Sequence, residues 1–177
     1  MASEQVSDNF VVMNSATPDA VAITIRRAPP DFRDWDRVRA LILDAFAYMD
    51  ARIDPPSSAF QLTPQSMQDD AEKGALLLAD HAGDLVGCVF ARTKGDALYI
   101  GKLAVRPGLQ GAGIGRRLVE AARDEARRLG LTMLELQTRI ELTENHGTFG
   151  RLGFVKTAET AHVGFDRPTS ITMRAKV

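Results

Sequence analysis

The sequence predicts a mixed α/β fold in which helices cover both faces of one central, mostly antiparallel sheet. Three apolar segments follow one another with short loops of glycine and aspartate between them, a pattern typical of antiparallel hairpins. A glycine-rich loop then joins the last of these segments to a segment of helical period. Because a further alternating strand follows that helix, the sheet should also contain one parallel pair formed by a crossover.

The composition indicates one domain. The chain has 177 residues, 45% of them hydrophobic and 25% charged, which fits a single sizeable core. We place the domain at residues 21–177 and predict a mobile tail over residues 1–20, which lack the basic start and apolar core of a secretory signal. A net charge of -1 gives no general attraction to nucleic acid or to an anionic membrane, so we expect neither partner. The single cysteine, Cys88, excludes an internal disulfide and favours a reducing, cytoplasmic compartment.

The first elements follow from periodicity and from breaking residues. Alternation predicts a strand from Val21 to Arg27, and Asp31 is the expected cap of a helix that runs to about Tyr48. From Asp50 to Thr63 the chain has no regular pattern, and a short helix is predicted from there through Glu72. Since this irregular loop has aromatic neighbours, we predict that it holds the acceptor substrate.

The later elements are the meander, a crossover helix, a parallel strand and a final hairpin. The helix begins as the glycine-rich loop closes and ends at Gly130, with a buried stripe expected at Ile114, Leu118, Ala122 and Leu129. Where the strand before this helix and the parallel strand after it splay apart, their unpaired backbone groups should face a cleft. The predicted strands are Ala75 to His81, Asp84 to Thr93, Ala97 to Val105 and Thr132 to Thr138, with the final hairpin from about Phe154 to Met173.

The glycine-rich loop predicts an anion site. Glycines at 111, 113 and 115 allow positive φ and a close approach of the backbone to a ligand, and a helix start presents amides without intrahelical partners. The loop ends Gly115-Arg116-Arg117, so it lacks the hydroxyl of a Walker-type nucleotide loop. A dinucleotide fingerprint fits poorly because its third glycine is missing, although Glu135 lies at a plausible distance for a ribose contact.

The order Gln110-x-x-Gly113-x-Gly115, directly after a strand that ends Val-Arg-Pro, resembles the acyl-coenzyme A loop of GNAT-type N-acetyltransferases. The resemblance covers roughly residues 23 to 173 and implies the GNAT fold, with acetyl-CoA as cosubstrate and no metal. In that family the backbone of the strand entering the loop holds the pantetheine. The cofactor-binding residues implied here are Leu103, Ala104, Val105, Gln110, Gly111, Ala112, Gly113, Ile114, Gly115, Arg116 and Asn145.

Asn145 comes from a second matching segment, Thr143 to Phe154, which is similar to the last helix of the family, Asn-x-x-x-Tyr-x-x-x-Gly-Phe. We expect Thr143 to cap this helix and Asn145 to point into the cleft. Phe149 stands where many members have a tyrosine that protonates the departing sulfur. Because positions 145 and 149 are one helical turn apart, both are predicted to face the cleft.

The implied chemistry is attack of a neutral amine on a thioester. A lysine-like amine with a pKa of ~10.4 needs about 4.6 kcal/mol to reach its reactive form at pH 7. Releasing a thiolate whose conjugate acid has a pKa of ~8.5 costs only about 2 kcal/mol, so Phe149 does not exclude catalysis. No spacing singles out a general base, and the catalytic residues stay open among Glu135, Glu141, Glu144, His146 and His162.

The sequence therefore predicts an acetyl-CoA-dependent N-acetyltransferase that acts directly on an amine of a small molecule or a protein. Two alternatives stay open: a catalytically weak module that binds coenzyme A as a sensor, and a dinucleotide-binding enzyme. The acceptor is not specified. The sheet edge expected to be exposed makes a homodimer one predicted assembly.

Overall fold

The computed structural model describes residues 22–177. The predicted tail and Val21, the first residue of the predicted first strand, lie outside this range. Four α-helices and seven strands are present in the described part. The strands are β1 (Ile23–Arg27), β2 (Ala75–His81), β3 (Asp84–Lys94), β4 (Ala97–Val105), β5 (Met133–Arg139), β6 (Val155–Thr160) and β7 (Ser170–Lys176). The helices are α1 (Trp35–Phe46), α2 (Pro64–Glu72), α3 (Ile114–Arg128) and α4 (Thr143–Arg151).

The seven strands form one sheet in the order β1-β2-β3-β4-β5-β7-β6. Every neighbouring pair is antiparallel except β4 and β5, which are connected through α3 and run parallel. The meander, the crossover and the final hairpin are thus confirmed. With a single parallel pair, this sheet does not have the repeated parallel strands of a dinucleotide-binding fold.

Two apolar clusters lie on opposite faces of the sheet. One contains Leu118, Ala122 and Phe149 with the α3 face of the strands. The other contains Val38, Ile42 and Met67 with the face that α1 and α2 cover. Helices therefore cover both faces, as the sequence predicts.

The strands β4 and β5 separate soon after they meet. Their pairing covers only Ala97–Tyr99 of β4 and Met133–Glu135 of β5. Beyond it, residues 100–105 and 136–139 continue as strands with no pairing between them. This confirms the predicted splay and opens the cleft toward the α3 loop.

Several predicted helix boundaries are wrong by a few residues. Helix α1 begins at Trp35 rather than after Asp31, because the amide of Phe32 bonds to the carbonyl of Pro29 in a turn. A 3-10 turn (Ala47–Met49) then carries the chain to the end that the sequence predicts. Thr143 is the first residue of α4 and not its cap, which is Leu142. These shifts reflect turn chemistry that helical periodicity does not reveal.

Two other details concern the ends of α2 and α3. Thr63 does cap α2: its hydroxyl accepts from the amide of Ser66, whose hydroxyl accepts from the amide of Thr63. Leu129 is 43% exposed, so it is wrong to place it on the buried stripe of α3. It is the C-terminal cap residue, at which the helix ends.

None of the helices in residues 22–177 has both the length and the apolar character that a membrane span needs.

Candidate functional site

Two hydrogen bonds hold the loop between β4 and α3 to the end of the sheet. The amide of Arg106 donates to the carbonyl of Val86 at 2.8 Å. The side-chain amide of Gln110 donates to the carbonyl of Val105 at 3.2 Å and thereby ties the middle of the loop to the end of β4. Gly111 and Gly113 have φ of 88° and 80°. The loop therefore has a defined conformation that requires glycine at these two positions.

Helix α3 presents free amides where this loop closes. Its first intrahelical bond runs from the amide of Arg117 to the carbonyl of Gly113, at 3.0 Å. The amides of Ile114, Gly115 and Arg116 precede that bond, so they have no partner within the helix. Together with the helix dipole these amides are suited to binding an anion, and the side chains of Arg116 and Arg117 beside them are exposed.

Gly115 differs from its expected conformation. It is the second residue of α3, is buried, and does not have positive φ. Its missing side chain therefore matters for packing and close approach and not for a left-handed backbone. Leu103, Ala104 and Val105 lie on the part of β4 that is not paired with β5, so this edge can accept an extended ligand with amide groups.

Strand β4 also contains a bulge that the prediction missed. Lys102 has φ of 51°, and Lys102 and Leu103 together face the single residue Val89 of β3. The bulge reverses the alternation, so that Leu98 and Ile100 before it and Leu103 and Val105 after it all pack on the α3 face. In the sequence the buried apolar residues change from even to odd positions between Ile100 and Leu103. This change is the pattern that would have indicated the bulge.

Asn145 lies in the first turn of α4 and is fully buried. Its side-chain amide donates to the hydroxyl of Tyr48 at 3.1 Å. Tyr48 belongs to the 3-10 turn after α1, so this bond connects the end of α1 to the start of α4. No pattern in the sequence indicates that these residues, 97 positions apart, would meet.

Phe149 packs in the core on the α3 face. It is fully buried, and its ring meets that of Phe154 edge to face at a centroid distance of 5.7 Å. A contact between Phe149 and the coenzyme A sulfur stays a prediction.

The predicted base candidates separate into two groups. Glu135 lies where β4 and β5 still pair and is bound to Lys94 at 3.2 Å and Arg174 at 3.5 Å, so it is remote from the cleft. The other four follow the splayed end of β5 or face it. Glu141 accepts from the amide of Asp54, Glu144 is paired with Arg52, His146 contacts the carbonyl of Arg139, and His162 contacts both Arg139 and Thr169.

The environment shifts two pKa values near this end of β5. Burial raises the pKa of Tyr48 to about 12, which outweighs the hydrogen bond from Asn145. Burial also disfavours the ionised form of Glu144, but its backbone hydrogen bond and Arg52 together lower its pKa below the ordinary value. Tyr48 is therefore protonated at neutral pH, and Glu144 is a weak base.

Two further observations concern metal binding and the main cavity of the described residues. Among the described residues, no group of three or more metal-ligating side chains could hold a metal ion. A cavity of about 520 Å³ lies between the β1–α1 connection and α2, lined by Pro29, Pro30 and Trp35 among others. It touches none of the predicted cofactor residues.

A scan against family models matches the Acetyltransferase (GNAT) family over residues 35–154, more than half of the chain. The chain belongs to the GNAT acetyltransferase family. The IAA acetyltransferase of Azospirillum brasilense is 33% identical over 99 residues, 55% of this chain and 64% of that protein. The mycothiol acetyltransferase of Sanguibacter keddieii is 33% identical over 108 residues, 57% of this chain and 34% of that protein. The matches thus cover less than two thirds of each relative.

The fold of this GNAT protein is shared with solved structures. The PaiA N-acetyltransferase of Thermoplasma acidophilum in complex with coenzyme A superimposes with a TM-score of 0.72, at 14% identity, over 88% of this chain and 99% of that one. At this identity the likeness concerns the fold alone. The GNAT fold predicted from the glycine-rich loop is thus confirmed.

Proposed function

We propose that this GNAT protein transfers the acetyl group of acetyl-CoA directly to an amine of a small molecule or a protein. The observations that carry the proposal are the free amides of Ile114, Gly115 and Arg116 and, one loop before them in the chain, the edge of Leu103–Val105 that is not paired with β5. The amides suit a pyrophosphate, and the strand edge suits the two amide groups of a pantetheine arm. These two features support the assignment of the predicted cofactor residues on the loop and on β4 to one bound acetyl-CoA.

The acceptor end of the cleft has a balanced charge. Ion pairs join Arg52 to Glu144 and Arg167 to Asp54, and Arg139 lies 3.7 Å from Glu141. No excess charge here selects one acceptor, so both small amines and protein amines belong to the proposal. Of the predicted base candidates we retain Glu141, His146 and His162, which follow the splayed end of β5 or contact it.

The test is release of free thiol from acetyl-CoA with a panel of amines: amino acids, polyamines, an aminoglycoside and peptides with a free N-terminus or lysine. We expect thiol release that depends on one class of amine and a product heavier by one acetyl group. Calorimetric binding of acetyl-CoA without turnover on any amine would instead favour the sensor module.

We include a homodimer and a cytoplasmic location in the proposal. The outer strands β1 and β6 each leave one edge without a strand partner among the described residues, and every residue of β6 except Thr160 is exposed. Cys88, a fully buried free thiol, fits a reducing compartment.

A further inference from the structure

Tyr48 brings a hydroxyl to the start of α4 from the opposite helix layer. Its oxygen accepts a hydrogen bond from the side-chain amide of Asn145 at 3.1 Å. Helix α4 follows the splayed end of β5. At its start Leu142 packs in the α1–α2 cluster, and two turns later Phe149 packs in the α3 cluster. The Tyr48 hydroxyl is thus bonded to the first turn of α4, where the chain passes from one face of the sheet to the other just after the end of β5 that is not paired with β4.

The proton of this hydroxyl is available. An amide nitrogen can only donate, so in the bond with Asn145 the tyrosine oxygen is the acceptor. Among residues 22–177 no group accepts a hydrogen bond from Tyr48. A half-buried hydroxyl that is oriented by one bond and still has its own proton is a donor suited to a ligand in the gap between β4 and β5.

We propose that Tyr48 is a catalytic residue that donates a hydrogen bond to the coenzyme A sulfur as the carbon–sulfur bond breaks. This inference rests on the proposed function. In the step, the amine nitrogen forms a bond to the acetyl carbon and the pair of electrons of the C–S bond moves to sulfur. The proton lost by the amine passes to water or a neighbouring base, and the thiolate takes its proton from solvent.

The ionisation of Tyr48 decides between a hydrogen bond and a full proton transfer. With a pKa of about 12, raised by burial, Tyr48 is a weaker acid than a thiol of pKa ~8.5. Transfer of its proton to the thiolate would therefore be unfavourable, whereas donation of a hydrogen bond is not. Arg52, over the ring face at 5.6 Å, and Glu144 shift this pKa in opposite directions, so that burial remains its main cause.

The same geometry explains how this chain can function with Phe149 where the family resemblance implies a tyrosine. Asn145 lies one turn before Phe149 on α4, and it holds Tyr48 at that level of the helix. A hydroxyl from a distant part of the chain is thus bonded to the same helix, one turn before the position of the missing one.

The first test compares Tyr48→Phe with Tyr99→Phe. Tyr99 is the only other tyrosine of the chain and lies where β4 and β5 still pair, so it is a matched loss of a hydroxyl away from the gap. We expect Tyr48→Phe to lower kcat about 10- to 100-fold with KM for acetyl-CoA within about twofold, because the bond forms to developing charge. Tyr99→Phe should leave kcat unchanged. A lower Tm with unchanged kcat for Tyr48→Phe would make Tyr48 only a tether between α1 and α4.

The second test needs no acceptor. The pKa of the thiol of bound coenzyme A is measured from the ultraviolet absorbance of its thiolate during a pH titration of the complex. A donor to the thiolate lowers that pKa, so we expect it to be about 1–2 units higher in Tyr48→Phe than in the wild type and unchanged in Tyr99→Phe. Equal thiol pKa values in all three proteins would overturn the assignment.

A double-variant cycle tests the link to Asn145. Since Asn145 is argued to act on the sulfur by positioning Tyr48, the change Asn145→Ala should raise the thiol pKa in the wild type but add nothing to Tyr48→Phe. Additive shifts would contradict this link. A wild type that shows the thiol shift but no turnover on any amine would refute the proposed function and not the hydrogen bond.

Discussion

Gly113 has φ of +80°, and a Cβ placed there would have nothing within 4 Å. A substitution at this position therefore costs only the backbone strain of a left-handed residue, about 1–2 kcal/mol, unless a ligand uses the free space. Gly95, in the β3–β4 turn, has φ of +58° and equally open surroundings. It is a matched control at the far end of β4.

We predict that Gly113→Ala raises the Kd for acetyl-CoA at least about tenfold, because its methyl group and the altered loop disturb the amides of α3. Gly95→Ala should lose similar stability and keep wild-type affinity. Calorimetric titration measures both. Equal affinities of the two variants would show that the loop does not bind the cofactor.

Phe149→Tyr is a second prediction for a single residue. The added hydroxyl enters a fully buried site against Phe154, where an unsatisfied polar group costs about 1–3 kcal/mol. We expect a lower Tm by differential scanning calorimetry and little gain in turnover, since Tyr48 already supplies a donor. In the Tyr48→Phe background the same change should recover part of the lost kcat. A large gain in the wild type without loss of Tm would mean that residue 149 faces a sulfur that has no donor.

For single residues, the sequence predicts unusual backbone conformations better than it predicts which side chains bond to each other. The glycine pattern identified Gly111 and Gly113 because positive φ leaves a direct mark on residue type. The bond between Tyr48 and Asn145 left none, since it joins residues that only the complete fold brings together.

Among the elements, α3 is docked onto β1 by one carboxylate. Glu125 accepts from Arg27 at 2.8 Å and from two nitrogens of Arg128 at 2.7 and 3.0 Å. The hydrogen bond from Arg128 is the main reason why the pKa of Glu125 lies below its ordinary value, with burial opposing it and Arg27 assisting. A lowered pKa adds stability that is present above the pKa of the unfolded state and lost as the pH falls through the folded one.

We predict that Glu125→Gln lowers the free energy of unfolding by about 1 kcal/mol at pH 7. The difference from the wild type should shrink at acid pH, as the pH falls through the lowered pKa of Glu125 and the wild-type carboxylate becomes protonated too. Glu120→Gln, on the same helix with a largely exposed side chain, is the control and should have little effect. Urea unfolding at both pH values measures this; a difference independent of pH would contradict the role given to the charge.

Elements with a strong period were predicted to within a residue or two, and the errors fall at helix ends. The start of α1 depends on a backbone bond between Phe32 and Pro29, and the bulge of β4 depends on pairing with β3. Both are set by neighbours and not by local preference.

At the scale of the whole molecule, the edge of β6 is the surface on which the homodimer proposal rests. Val155 is 64% exposed at its start. A bulge at Thr157 and the ion pair of Lys156 with Glu159 work against extended pairing, so we expect a weak dimer. Sedimentation velocity over a range of concentrations should show a monomer–dimer equilibrium that Val155→Asp shifts to monomer. A wild type that stays monomeric throughout would rule the dimer out.

The overall topology was predictable because the meander, the crossover and the last hairpin each have their own signal in sequence. The acceptor was not, because only the complete fold brings together the connection after α1, the end of β5 and the β6–β7 hairpin, where we propose that it binds, and the ion pairs there cancel in charge.

The most direct test of the account is a crystal structure of the protein with acetyl-CoA. We predict that the pyrophosphate accepts hydrogen bonds from the amides of Ile114–Arg116, that the pantetheine follows the free edge of Leu103–Val105, and that the thioester lies between β4 and β5 within reach of the Tyr48 hydroxyl. Acetyl-CoA bound with its pyrophosphate away from the start of α3, or with its thioester outside the gap between the two strands, would contradict it.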